Sequence, residues 1–252
     1  MNGILIALLE LFIFYSISLS SRKLIKNFKN IEVISYYWLS FTILTGIWEI
    51  CFIINYHHIN KLSLQLINNK QHVWTNSYSI DYILPWKLAN IFYAEYGAWA
   101  DREYMIDYNY WSRLIEGSHS GFCGLFALLG MFYRLEYINK KYLVCIVLSM
   151  GTQLMNSILY IGQYLIQIND KNNVNYLHNN FPAGFLLIKR YFMYINIFWT
   201  IMPSYVLYKT LTNKNEVINN PINNKNKNNT ITQKKPKNIF KIQLLDPNIN
   251  EV

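Results

Sequence analysis

Ionisable side chains recur inside stretches that are otherwise apolar, and these residues could carry chemistry. Glu49 lies in one such stretch, whereas Arg113, Glu116 and His119 lie in another at intervals of three residues, which places these three on one helical face. A charge inside a membrane costs about 2.5 to 3.5 kcal/mol on insertion scales, so each one needs a partner or a function. A carboxylate near an imidazole in a dry pocket predicts proton transfer. A self-satisfied Arg113–Glu116 ion pair is the structural alternative.

A second polar face is predicted near the end of the apolar region. Asn196, Trp199 and Pro203 are spaced by three and four residues, which again places them on one helical face. An indole ring can stabilise a cation, and an amide can orient a polar group. The alternative is that Pro203 only kinks its helix. Glu49 and Glu116 each lie six or seven residues from one end of their apolar stretch, and Asn196 lies six or seven residues after a pair of basic residues in its own stretch. This predicts a common depth for the three side chains, about 10 Å below one membrane surface.

Five apolar stretches must position these side chains. The composition, 52 % hydrophobic and 15 % charged, favours a membrane protein over a soluble domain. A helix needs roughly 20 residues to cross the hydrocarbon layer. The predicted fold is therefore an all-α integral membrane bundle of five transmembrane helices. We expect the helices at residues 3–20, 33–55, 109–133, 142–168 and 184–208, with a long polar loop between residues 55 and 109.

The charge distribution predicts an orientation and a domain organisation. Arg22 and Lys23 follow the first helix, whereas the long loop before the third helix is acidic, so the N-terminus is expected in the lumen and the C-terminus in the cytosol. We divide the chain into 1–32 (first helix and basic loop), 33–210 (four-helix membrane domain) and 211–252 (disordered Asn/Lys-rich tail). The lone Glu10 is expected to face a neighbouring helix or to reach the interface. The bilayer is the expected partner of this basic chain, and nucleic acid is not, because no folded basic face is available.

The cysteines and histidines do not predict a metal site or a disulfide framework. Cys51, Cys123 and Cys145 all lie in apolar stretches, where a thiol usually packs as a small apolar group. Neither a CxxC pair nor a zinc-like Cys/His spacing occurs. We therefore expect no metal site.

Several motifs resemble the emopamil-binding protein family, whose shared region is the EXPERA domain. The block AEYGAWADREYMIDYNYWSRLIEGSHSGFCGLFALL is similar to the family pattern of Glu-Tyr, Asp-x-Arg-Tyr and a glutamate in the next helix. YINIFWTIMPS is similar to its Asn-x-x-Trp-x-x-x-Pro motif, and GIWEICFIINY and QLMNSILY are similar to parts of its second and fourth helices. The resemblance covers most of residues 33–210. The positions that match are Glu49, Glu95, Tyr96, Asp101, Tyr104, Glu116, Gly124, Tyr160, Asn196, Trp199 and Pro203.

The resemblance implies an all-α membrane protein of five helices with a ligand cavity among them, located in the endoplasmic reticulum, that moves a sterol double bond from C8 to C7. This reaction passes through a carbocation and requires neither a redox cofactor nor a metal. The residues that would carry out this reaction are Glu49, Glu116, Asn196 and Trp199. The residues that would contact the sterol or a similar hydrophobic molecule are Tyr96, Asp101, Tyr104 and Tyr160. A second copy of the chain, in a homodimer, is a further possible partner.

One departure from the family pattern keeps other functions open. The family isomerases carry a histidine one turn before the glutamate of the second helix, where this chain has Thr45. We expect His119 to replace that histidine and Thr45 to contact the substrate. The alternatives are a non-catalytic protein that binds sterols or cationic amphiphiles, and a membrane protein that holds another protein in place.

Overall fold

The computed structural model describes residues 1–102, 110–136, 139–167 and 191–212, without the side chains of residues 110–113, 116, 167, 191 and 192. Tyr104, the start of the predicted fifth helix (184–190) and all of the predicted tail except residues 211 and 212 lie outside this description. Within it the chain is helical and has no β-strand; a single antiparallel bridge joins Asn2 to Ser77.

Seven α-helices and two short helical turns make up the described part of the chain. The helices are α1 (Gly3–Leu24), α2 (Lys26–Lys29), α3 (Val33–Asn69), α4 (Pro85–Glu95), α5 (Tyr110–Leu135), α6 (Asn139–Gln167) and α7 (Tyr191–Thr212). A 3₁₀ turn (Ile80–Ile83) precedes α4, and a π-helical turn (Tyr96–Ala100) follows it. Of the described helices, α1, α3 and α6 are long and apolar enough to cross a membrane, which indicates a membrane protein.

Helix α1 presents most of its apolar surface outward. Leu8, Phe12 and Ile17 are all more than half exposed, while Ile6 and Glu10 are buried against the rest of the chain. A helix that is apolar on every side cannot leave such a surface in water at low cost, but lipid covers it readily.

Helix α3 starts at an acidic cap. Glu32 accepts hydrogen bonds from the backbone amides of Ile34 at 3.1 Å and Ser35 at 2.8 Å. Burial opposes ionisation here, but these hydrogen bonds outweigh it and lower the pKa of Glu32. The charge also complements the positive end of the helix dipole.

The predicted loop between residues 55 and 109 is wrong over much of its length. Asn55 has non-helical dihedral angles and marks a kink, but α3 continues beyond it to Asn69. Tyr56, Ile59, Ser63 and Leu66 are buried at spacings of three and four residues, so a polar segment forms a helix by burying one stripe. The residues from Pro85 to Ala100 are helical as well.

Four helices enclose the centre of the molecule. Helix α3 packs against α5, α5 against α6, α6 against α7, and α7 against α3. Helices α3 and α5 approach each other closely, so a methyl group on Gly46 would lie 2.8 Å from the Ser120 carbonyl oxygen and 3.0 Å from Gly124 Cα. Small residues that let two backbones meet are typical of helix contacts in membranes.

Candidate functional site

A pocket of about 410 Å³ lies inside this ring of helices. Its volume is within the usual range for small-molecule sites. Aromatic rings form much of its wall, and a few polar groups converge on it. It is lined by Leu11, Phe41, Thr45, Trp48, Glu49, Phe92, Tyr93, Tyr96, His119, Ser120, Gln153, Asn156, Ser157, Tyr160, Ile195, Asn196, Phe198 and Trp199.

The structure brings most of the predicted site residues together. Those that line the pocket are Thr45, Glu49, Tyr96, His119, Tyr160, Asn196 and Trp199. Asp101 does not line the pocket itself, but its carboxylate accepts a hydrogen bond from the hydroxyl of Tyr160, which does. Tyr104 and the side chains of Arg113 and Glu116 lie outside the described residues.

Glu49 and Thr45 occupy one face of α3. Glu49 is 8 % exposed, and its carboxylate accepts a hydrogen bond from the Tyr93 hydroxyl of α4. Thr45 lies one turn earlier, and its hydroxyl donates to the Thr42 carbonyl oxygen at 3.2 Å. The hydroxyl of a threonine is a poor proton carrier, so Thr45 cannot take over the chemistry of an imidazole.

His119 of α5 contacts α6 at the wall of the pocket. Its Nε2 lies 3.1 Å from Asn156 Nδ2 and 3.1 Å from the Ser120 hydroxyl. Because an amide nitrogen can only donate, this placement makes Nε2 an acceptor, and the neutral ring then carries its proton on Nδ1. The contact between α5 and α6 thus holds an ionisable ring at the pocket wall.

The register of α3 against α5 separates the two predicted glutamates. The helices run antiparallel, with Ile50 packed on Gly121 just beyond the Gly46–Gly124 contact. Glu49 is therefore level with residues near Gly121, whereas Glu116 lies about five residues further along, an axial offset of about 8 Å. The expected common depth of the two glutamates is not observed. His119 lies about two residues from the level of Glu49, which is about 3 to 4 Å along the helix axis, so it is closer in level to Glu49 than Glu116 is.

Stacked and edge-on aromatic rings form part of the pocket wall. Trp199 stacks on Phe41 with ring centroids 5.8 Å apart and meets Trp38 edge-on at 4.8 Å. Trp48 packs against the α4 ring of Phe92 at 5.3 Å. Such faces can stabilise a positive charge that forms between them.

Helix α1 contributes a buried carboxylate next to this wall. The Trp48 indole N–H donates to Glu10 Oε1 at 3.1 Å, so Glu10 faces α3, one of the two alternatives expected from the sequence. Its other oxygen, Oε2, has no hydrogen-bond partner within the described ranges.

A hydrogen-bonded chain of side chains closes one end of the pocket. The Tyr96 and Tyr160 hydroxyl oxygens lie 3.2 Å apart, and Tyr160 donates to Asp101. The neighbouring Arg102 is buried and donates to the Ser63 hydroxyl at 3.0 Å. Burial lowers the pKa of Arg102, which normally titrates far above neutral pH.

Sequence reasoning missed the contribution of α4 and part of α6. Phe92 and Tyr93 reach the pocket because α4 packs on α3, and Pro85 at the first position of α4 is a start signal that could have revealed this helix. Gln153 and Asn156 lie on one face of α6 within the stretch QLMNSILY, and their polarity inside an apolar helix is the signal that could have found them.

Comparisons with protein-family models, with curated proteins and with solved structures find no match for this chain. Among the described side chains, no group of three or more His, Cys, Asp or Glu residues could hold a metal ion.

Proposed function

We propose that this chain is a sterol Δ8–Δ7 isomerase-like membrane protein. The observation that carries the proposal is that Glu49 and His119 line the same pocket, together with several aromatic rings. A double-bond shift requires an acid and a base on the same bound substrate, and these two side chains could supply them. The motifs that resemble the emopamil-binding protein family support the same reaction.

The proposed reaction balances with one proton gained and one lost. The acid of the pair adds a proton to C9 of the C8–C9 double bond, and the electron pair of that bond forms the new C–H bond. A carbocation results at C8, and the rings of Trp48 and Trp199, which both line the pocket, can stabilise it. The base of the pair then removes a proton from C7, and the electron pair of that C–H bond forms the C7–C8 double bond. Tyr93 orients Glu49, and Asn156 orients His119.

We also propose that α5 and α7 cross the membrane together with α1, α3 and α6. Both pack along α6, which is itself long and apolar enough to span. The N-terminus is then lumenal and the C-terminus cytosolic, and the family resemblance favours the endoplasmic reticulum. Glycosylation sites inserted at either terminus of the chain test this orientation, since only a lumenal site is modified.

Complementation tests the isomerase. The chain is expressed in cells that lack sterol C8–C7 isomerase, and their sterols are profiled by gas chromatography. We expect C8-unsaturated sterols to be replaced by C7-unsaturated sterols. Glu49→Gln and His119→Gln should each abolish the change, whereas the matched control Glu136→Gln, at an exposed position, should retain it. Unchanged accumulation of C8 sterols, with the protein present in the membrane, would rule out the activity.

A non-catalytic binding protein is the second candidate, and the hydrogen bond of Thr45 to its own helix favours it. A pocket without a working acid–base pair would still bind cationic amphiphiles, because an ammonium group resembles the carbocation. In this case the wild-type chain binds such a compound saturably without complementing, and Trp199→Ala weakens the binding. Thr45→His separates the two candidates, because a gain of isomerase activity would show that the pocket lacks only the imidazole.

A further inference from the structure

The Gln153 side chain contains a buried donor that the protein does not use. Gln153 is 1 % exposed and lines the pocket from α6. Its Oε1 accepts a hydrogen bond of 2.9 Å from the indole N–H of Trp38. Its Nε2 has no acceptor within the part of the chain that the structure describes.

Trp38 determines which way this amide points. An indole nitrogen can only donate, so it must face the amide oxygen, and the amide NH₂ group is then directed elsewhere. Trp38 is itself 4 % exposed and held edge-on by Trp199 at 4.8 Å and by Phe198 at 5.2 Å. Rotating the amide would bring its NH₂ group against the indole N–H and lose the one hydrogen bond that it makes.

The other polar end of the pocket is already satisfied by the protein. The hydroxyl groups of Tyr96 and Tyr160 are hydrogen-bonded to each other, and Tyr160 also donates to Asp101. A ligand oxygen at that end would have to replace an existing hydrogen bond, whereas at Gln153 it would satisfy a donor that has none. An unsatisfied buried donor is costly, so the gain on binding is largest there.

We infer that the Gln153 amide, oriented by Trp38, donates a hydrogen bond to an oxygen atom of the ligand and thereby sets the ligand's orientation in the pocket. The inference rests on the proposed function, because it concerns the same pocket and a sterol-like occupant. Asn156, which holds His119, lies one turn further along α6, about 4.5 Å away along the helix axis. The oxygenated end of the ligand then lies beside Gln153, and its rings extend toward Asn156 and His119.

The test measures whether the donor and the ligand oxygen are coupled. Affinities of a Δ8 sterol with a 3β-hydroxyl group, of its 3-ketone and of its 3-deoxy analogue are measured by competition with a tritiated Δ8 sterol on the protein in lipid nanodiscs. Gln153→Met removes the donor at similar volume. We expect it to reduce the preference for the two oxygenated sterols over the deoxy analogue about 5- to 150-fold. Gln163→Met, the same change at an exposed position of α6, is the matched control and should leave the preference unchanged.

A double variant keeps the test valid if Gln153→Met fails to fold. Trp38→Phe combined with Gln153→Met removes both partners, so neither is left unsatisfied, and it should show the same loss of preference. An unchanged preference in both variants, with sterol still bound, would refute the inference and leave the proposed function intact. A loss of preference in Tyr160→Phe but not in Gln153→Met would instead place the oxygen at the other end and also refute it. If none of these sterols binds saturably to the wild-type chain, the inference and the proposed function both fail.

Discussion

The contact between Gly46 and Gly124 leads to a prediction about packing that can be measured without any ligand. In Gly46→Ala, the new methyl group would lie 2.8 Å from the Ser120 carbonyl oxygen and 3.0 Å from Gly124 Cα, below the 3.4 Å at which ordinary contact begins. Both neighbours are backbone atoms, so α3 and α5 must separate by about half an ångström. Overpacking of this kind costs about 1 to 3 kcal/mol.

A matched control isolates this cost. Gly151 lies inside α6, and a methyl group added there would meet nothing within 4 Å. Alanine is favoured over glycine within a helix by about 1 kcal/mol, and this gain applies to both variants. Gly46→Ala should therefore be less stable than Gly151→Ala by about 1 to 3 kcal/mol. For a domain of this size the difference corresponds to about 2 to 12 °C in Tm.

The buried cysteines of the protein supply the assay. Cys123 is fully buried and Cys145 is 6 % exposed, so a thiol-reactive fluorophore reports unfolding in detergent as the temperature rises. We expect Gly151→Ala to melt at or above the wild-type temperature and Gly46→Ala to melt below it. Equal melting temperatures for the two variants would show that α3 and α5 do not meet at these glycines. The same result would refute the helix register that separates Glu49 from Glu116.

Three further predictions use the same melting assay. Glu32→Ala should cost about 0.5 to 2 kcal/mol at neutral pH through loss of the α3 cap. Because the folded state lowers the pKa of Glu32, this contribution is present above the unfolded pKa and disappears as the pH falls through the folded pKa, so a cost that persists in strong acid would contradict the assignment. Trp48→Phe should cost about 1 to 3 kcal/mol by leaving the Glu10 carboxylate without its donor, and much less in a Glu10→Leu background; equal costs in the two backgrounds would argue against this hydrogen bond. Asp101→Asn should lower the stability by about 1.5 to 3 kcal/mol, because Tyr160 donates a hydrogen bond to this buried carboxylate. Asp81→Asn, at the exposed pair with Lys87, should leave Tm unchanged. Similar effects of the two substitutions would contradict a stabilising hydrogen bond between Tyr160 and Asp101.

The three membrane-length helices and the faces of the candidate residues could be predicted from the sequence. Hydrophobic length is a local property, and helical periodicity places Asn196 and Trp199 on one face whatever their partners are. The same reasoning predicted a helix end at Asn55, where the structure has a kink. It missed the continuation of α3 because it weighed the polarity of that segment and not the spacing of Tyr56 and Ile59.

Tertiary structure alone decided which of these faces meet and in what register. Trp38 and Gln153 are 115 residues apart in the sequence, and His119 and Asn156 are 37 apart, so no local pattern could pair them. The register of α3 on α5 depends on the close approach of Gly46 and Gly124, and it makes His119 the partner nearest to Glu49 in level. The sequence by itself determined the three membrane-length helices and the faces on which the candidate residues lie. The partners of each side chain followed only from packing, because packing selects among many surfaces that local periodicity leaves equivalent.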